Sequence, residues 1–542
     1  MYRPPPRRIC KNSDRPGLRE GMELVEDMTM FASATGWMPG SYTEPTADVR
    51  VFRSSGIGVK PDCITMFETS LPVPVPPCRR RQSTELQTCH DPSNMNAHDL
   101  LHRLSDEEMR SYLTEGYLVL KSGLPQDVHD HIRDRCEEIF STTGNPGNEI
   151  LEMNPALRLV FADPVVKGAL SSILGDGYFM HPHRHCHQNR SGTPAQANHK
   201  DSYEEDVNVH HHRSRWAMAM YYPQDVTADM GPTGVTSGSQ YFSSPESLAG
   251  HKELGVTGEA GTVILVHYDV WHRALRNHSG RNRYMLKFLF CRAAEPTAPA
   301  WNNQEEEWQV PAGREQDPLE PLWRAMWNWN RGQPVATEKR EHGDAALSDL
   351  LAGSEAERLK AAYTIGLHAF DQHDEVFRLW LAEADEAEVR AQRREHTSPC
   401  EHMFGYTLAS QGTTGLVLLE EALESEDWRI RGSAVDAAGD MGNEARSLVP
   451  RVTTMASDPS PWVRRNAIEA LGVLGDARDD VTTILGQALY DEDYLVGHNA
   501  ALALRKLGTA SGAAIDMLLK ASTHGELYRR KNALMALEVL LE

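Results

Sequence analysis

The C-terminal third of this 542-residue chain repeats itself, and a repeat constrains a fold more than any single motif does. Ala434, Ala467, Ala500 and Ala533 recur every 33 residues, and Asn466, Asn499 and Asn532 precede the last three of them. Ala438, Leu471, Leu504 and Leu537 keep the same interval, and Gly442, Gly475 and Gly508 close three of the units. Within 466–475 (NAIEALGVLG) the apolar positions fall on one helical face, the small Ala lets a neighbouring helix approach, and Gly ends the helix. A unit this short cannot bury its apolar face alone. The pattern therefore predicts an all-α solenoid of stacked helical pairs over 341–542, with 357–367 (ERLKAAYTIGL) as a more divergent copy.

The T-P-L-H turn of ankyrin and the W-x-x-L-G-x-x-Y pattern of tetratricopeptide units are both missing, and the units resemble short HEAT-like repeats. Upstream the chain reads differently. Residues 1–95 carry proline runs (Pro4 to Pro6, Pro72 to Pro77) and the basic cluster Arg79 to Arg81, and are expected to be extended or partly disordered. Ser105 and Glu108 form an S-x-x-E capping box that opens a helix through Leu113. A strand is expected over 116–120 and an amphipathic helix over 125–140. Short apolar runs at 215–222, 261–267 and 283–290, separated by turn residues, predict a sandwich or jelly roll over 96–300. Trp301, Trp308, Trp323, Trp327 and Trp329 mark a junction over 301–340, where one domain docks on the next.

Composition removes several function classes. Lys and Arg number 55 against 77 Asp and Glu, a net charge of -22, which disfavours nonspecific binding to nucleic acid or to an anionic membrane. No apolar run is long enough for a helical membrane span. The eight cysteines are scattered without a CxxC pair, which argues against a zinc finger and for reduced thiols. The basic N-terminus lacks an apolar signal core, so a cytoplasmic location is expected, with organelle targeting by this segment left open.

Among 24 histidines, one set is chemically pointed: His199 and Asp201 in an H-x-D, then His272, then Arg283. In an extended segment residues i and i+2 face the same way, so an imidazole and a carboxylate can hold one ion side by side. A second imidazole from a distant strand completes a 2-His-1-carboxylate face with three open positions, which suits non-haem Fe(II). A guanidinium opening the next strand can clamp a carboxylate through two parallel hydrogen bonds. Arg281 shares the strand parity of Arg283 and is its rival for that role.

The surrounding residues add a resemblance. The segment from Leu104 to Val119 (LSDE, then Tyr112-Leu113 and Gly116 to Val119), 198–201 (NHKD), Gly231-Pro232-Thr233 with 237–240 (SGSQ), and 261–283 with Trp271-His272 and Asn277 resemble the phytanoyl-CoA dioxygenase family of Fe(II)/2-oxoglutarate oxygenases. The resemblance implies a double-stranded β-helix (jelly roll, cupin-like) with flanking helices, iron held by His199, Asp201 and His272, and 2-oxoglutarate as co-substrate on Arg283. It also implies consumption of O2, release of succinate and CO2, and hydroxylation of a small-molecule or lipid substrate. The carboxylate of Asp201 favours oxygenation, because related halogenases carry a small residue there. Ser237 and Gln240 replace the Pro and His usual in the loop, Ala274 stands where some members place a hydroxyl, and the Lys of some members has no clear counterpart, with Gln188 or Arg190 falling nearby.

Other candidates carry two readings each. His181, His183, His185 and His187 alternate along one predicted strand, as a second metal site or substrate wall, or as hydrogen-bonded histidines at the barrel mouth. His210 to His212 are expected in an exposed loop, and Glu305 to Glu307 in a solvated acidic turn. Trp216, Tyr221 and Tyr222 line the pocket or pack the core. The rival to an enzyme is an inactive barrel whose HEAT-like repeats recruit a protein partner.

Overall fold

Period-two apolar strands need two faces to bury, and the computed structural model supplies both. It describes residues 101–201, 211–334, 346–365, 373–392, 398–525 and 527–541; the N-terminal expectations for 1–95 lie outside these. The capping box forms as expected: Ser105 caps the helix Asp106–Glu115, and Gly116 ends it at a positive φ that a side chain would strain. The helix Gln126–Thr142 follows β1 (Tyr117–Lys121).

Seven further strands complete the barrel: β2 (Phe179–Asn189), β3 (Trp216–Tyr221), β4 (Thr233–Thr236), β5 (Glu253–Val256), β6 (Thr262–His267), β7 (His272–Ala274) and β8 (Arg283–Cys291). They form a five-stranded sheet, β1-β6-β3-β8-β2, and a three-stranded sheet, β5-β4-β7, with antiparallel pairing throughout. This is a double-stranded β-helix. Alternate residues of the larger sheet go opposite ways. Met218, Met220, Tyr222, Ile264, Val266, Met285 and Leu289 meet Val235 and Val256 of the smaller sheet inside the barrel. Ala219, Tyr221, Leu265, Leu286 and Phe288 face outward onto helix residues such as Ile132, Cys136 and Ile139.

The Trp-rich segment packs against the first helix of the barrel. Trp323 and Trp327 are buried on the helix Glu320–Asn330, and the Trp301 indole N–H donates to Asp106. Beyond it the repeats stack as predicted. The recurrent Ala434, Ala467, Ala500 and Ala533 are all fully buried, one on each of the helices Trp428–Met441, Pro461–Leu474, Tyr494–Leu507 and Leu527–Leu540. The asparagine side chains stitch neighbours together, Asn466 donating to the Gly432 carbonyl and Asn499 to that of Arg465. At Gly472 a side chain would collide with Ala503 of the next repeat.

This inner row of helices docks on the barrel. Leu502 and Met535 pack with Phe179 and Cys291, and the Glu355 carboxylate accepts from the backbone N–H and hydroxyl of Ser243. His211 and His212 correct the expected exposed loop, whose first member, His210, lies outside the described residues. Both are pulled in between barrel and array. Consecutive side chains point opposite ways, so His211 reaches Asp440 (3.3 Å) and Glu469 (3.4 Å), while His212 Nδ1 lies 2.7 Å from the Tyr363 hydroxyl. Arg213 and Arg215 follow onto Asp440 at 2.6 and 2.5 Å.

Candidate metal centre

His199 lies just outside the smaller sheet and makes an antiparallel bridge to His272, the first residue of β7. Each donates its backbone N–H to the other's carbonyl, at 3.0 and 2.8 Å. That pairing sets the two imidazoles side by side, with ring centroids 4.7 Å apart. Asp201, two residues on, turns its carboxylate to the same point: Oδ1 is 3.9 Å from His199 Nε2 and Oδ2 is 3.7 Å from His272 Nε2. The three ligand atoms lie within 4.8 Å of one another, and no other three His, Cys, Asp or Glu side chains among the described residues bring one ligand atom each within that span.

The tautomers suit a cation. His199 Nδ1 lies 3.0 Å from the Ala197 carbonyl and His272 Nδ1 3.0 Å from that of Val270, so each ring donates there and leaves the Nε2 lone pair facing its partners. Burial pushes His272 down to about 4, which keeps it a neutral ligand near neutrality. Burial alone would push the Asp201 carboxyl up, but its neighbours, the Lys287 ammonium 2.7 Å away with His272 and His199, together outweigh it and hold the group well below the usual carboxylate range.

A cleft opens beside these residues, lined among others by His187, Asn189, Thr233, Arg283 and Lys287. Arg283 is fully buried. Its Nε and Nη2 donate to the Gly231 carbonyl, while Nη1 has no partner. Thr233 Oγ1, Asn189 Oδ1 and His187 Nε2 are also buried without partners. Unsatisfied polar atoms grouped around a cleft are the pattern expected where a ligand completes the hydrogen bonding. The donor set fits a divalent cation with a carboxylate-bearing co-substrate beside it. Arg281 is exposed and directs its guanidinium at the Met230 sulfur, so of the two rivals only Arg283 lines the cleft.

Residues 112–285 match the phytanoyl-CoA dioxygenase (PhyH) family model. The chain carries a phytanoyl-CoA dioxygenase domain. Its C-terminal part matches HEAT repeats over 415–483 and 450–538. Similar solved structures include the non-heme alpha-ketoglutarate-dependent carbocyclase SnoK from nogalamycin biosynthesis (21% identity, 35% of this chain and 85% of that one, TM-score 0.31). EctD from S. alaskensis with 2-oxoglutarate and 5-hydroxyectoine is another (18%, 39% and 86%, 0.32). HygX from Streptomyces hygroscopicus with nickel and 2-oxoglutarate is a third (12%, 35% and 87%, 0.29). No curated protein matches the chain.

In the dioxygenase domain the histidine-rich strand is irregular. Its pairing with β8 shifts between Met180 and Arg184, around Pro182, so the four imidazoles do not form one ladder. His181 Nδ1 accepts from the His183 backbone, and His183 Nδ1 lies 2.6 Å from the Tyr528 hydroxyl of the last repeat. His185 and His187 stay in register opposite Lys287 and Met285 and line the inner wall. The aromatic candidates divide: Tyr222 lies under Arg283 inside the barrel, whereas Tyr221 faces outward to His129. Neither Gln188 nor Arg190 stands in for the missing lysine. Gln188 bonds Tyr284, Arg190 bonds Gln188, and the lysine that lines the cleft is Lys287. A sequence signal for it existed, since Lys287 is four residues past Arg283 on one strand and must share its face.

Proposed function

We propose that the chain is an Fe(II)- and 2-oxoglutarate-dependent dioxygenase that hydroxylates an organic substrate, a small molecule or lipid, with release of succinate and CO2. The observation that carries this reading is the convergence of His199, Asp201 and His272 beside the unpartnered Nη1 of Arg283 in one cleft. His199 and His272 offer their Nε2 atoms and Asp201 its carboxylate to Fe(II), a set that leaves sites for co-substrate and O2. Arg283 takes the distal carboxylate of 2-oxoglutarate through Nη1, with the Thr233 hydroxyl beside it as a further donor. Bound together, iron and 2-oxoglutarate supply the activation of O2 and the oxidising power for substrate hydroxylation. The buried Tyr222 ring beneath Arg283 helps exclude water from this end.

The inner helices of the array are engaged with the barrel, so a protein partner of the repeats would use the outer ones. No helix among the described residues is long and apolar enough to cross a membrane. The four described cysteines are buried and free, in keeping with a reducing, cytoplasmic location.

The test is succinate formation from 2-oxoglutarate in the presence of Fe(II) and O2, coupled to untargeted metabolite comparison against Asp201→Ala. His199→Ala and Asp201→Ala should each abolish succinate formation while the helical array stays folded. Retained turnover in both variants would remove the site assignment, and a wild-type chain that forms no succinate would favour the inactive-scaffold reading.

A further inference from the structure

One buried charge at the centre has no place in that reading. The Lys287 ammonium lies on the carboxylate that is to hold the metal, 2.7 Å from Asp201 Oδ2, with 9% of its side chain exposed. Neighbouring strands place His185 and Met220 directly opposite it. Burial pushes His185 down to about 4, so that ring is uncharged near neutrality. Among the described residues Asp201 is the only carboxylate paired with Lys287. The other cations lining the cleft are Arg273, bonded to Glu253, and Arg283, which has no carboxylate partner among the described residues.

Without metal, Lys287 and Asp201 neutralise each other. A dication arriving at Asp201 meets an ammonium on the same carboxylate, in surroundings where charges are poorly screened. With Arg283 nearby, the cleft becomes strongly positive. A 2-oxoglutarate dianion relieves both ends, one carboxylate at Arg283 and the other near the metal and Lys287. We propose that Lys287 is a positioning residue that couples the two ligands, making tight metal binding conditional on the dianionic co-substrate. By linkage the metal then strengthens co-substrate binding by the same factor. This proposal rests on the metal and co-substrate assignment above.

The experiment is anaerobic calorimetric titration of the full-length protein with Fe(II), with and without saturating 2-oxoglutarate, for wild type, Lys287→Met, Lys287→Gln and Lys287→Arg. Thermal melts and circular dichroism check folding. Wild type should bind Fe(II) on the order of 100-fold more tightly with 2-oxoglutarate present. Lys287→Met should bind Fe(II) alone about tenfold more tightly than wild type, because the metal becomes the only cation on Asp201, and its gain from 2-oxoglutarate should shrink at least about tenfold. Lys287→Arg should keep the wild-type coupling, and Lys287→Gln reports in place of Met if that variant misfolds. Purely structural support would show the opposite signature: weaker metal binding in Lys287→Met and undiminished coupling. That result, or wild-type behaviour in both neutral variants, overturns the proposal while leaving the metal centre standing. Absence of any Fe(II) binding to folded wild type removes the centre itself and this proposal with it.

Discussion

Two of the buried polar clusters among the described residues are built oppositely. Where array meets barrel, His211, Arg213 and Arg215 face Asp440, Glu469 and Glu295, so charge is answered by charge within the protein. At the metal centre Arg283 faces no carboxylate, and Lys287 shares Asp201 with two imidazoles. The seam is electrostatically closed and the centre is open. Buried charge that is fully answered holds parts together, whereas buried charge left over specifies a ligand. A mutation at the seam should therefore be read in stability, and one at the centre in affinity.

The sharpest way to break this contrast is Asp440→Asn, which removes the carboxylate shared by Arg213, Arg215 and His211. Stranding buried cations in this way costs about 3–5 kcal/mol. The denaturation midpoint should fall accordingly while Fe(II) affinity stays within about twofold of wild type, a shift of under ~0.4 kcal/mol. A loss of metal affinity matching the loss of stability would merge the two clusters into one.

Next in size is Arg283→Ala, which should raise the 2-oxoglutarate requirement about 100-fold, equivalent to about 3 kcal/mol, with Fe(II) still bound in its absence. Steady-state succinate assays across 2-oxoglutarate concentration measure this, and an unchanged requirement would turn attention to Arg281.

The smallest effect is a pH dependence confined to the seam. Burial pushes His211 down, but Asp436, Glu469 and Asp440 outweigh it and hold the imidazole well above its ordinary value. A raised histidine contributes stability fully below its unfolded value near 6.5 and loses it as pH climbs through the folded value. Burial pushes the Asp436 carboxyl up to about 8, so it gains negative charge over the same interval. Both changes make the seam more negative, and the melting temperature should fall from pH 7 to pH 9. In His211→Gln that slope should flatten, and an equal slope in both proteins would exclude His211 as its source.

Much of this was readable from the chain alone, for physical reasons. The 33-residue interval survives because each repeat must present the same small and apolar positions to its neighbour, as Ala467 and Ala500 do. The set His199, Asp201, His272 and Arg283 was legible because strand parity and a cross-strand bridge bring these residue types together. Lys287 was hidden among the apolar residues of β8, where a lone lysine reads as an interruption rather than a wall of the cleft. His211 and His212 were misplaced because their partners lie far along the chain, at Asp440 and Tyr363, and nothing local in 210–212 announces them. The alternation of His181 to His187 promised a ladder, but Pro182 cannot donate to β8 and the pairing slips there.

The most direct test of the central claim is anaerobic addition of Fe(II) and then 2-oxoglutarate to the full-length protein, followed by visible absorption. A site built as described should bind one iron per chain and develop a weak charge-transfer band only when both are present, with no band in Asp201→Ala. A folded wild-type protein that shows no band and holds no stoichiometric iron would contradict the account.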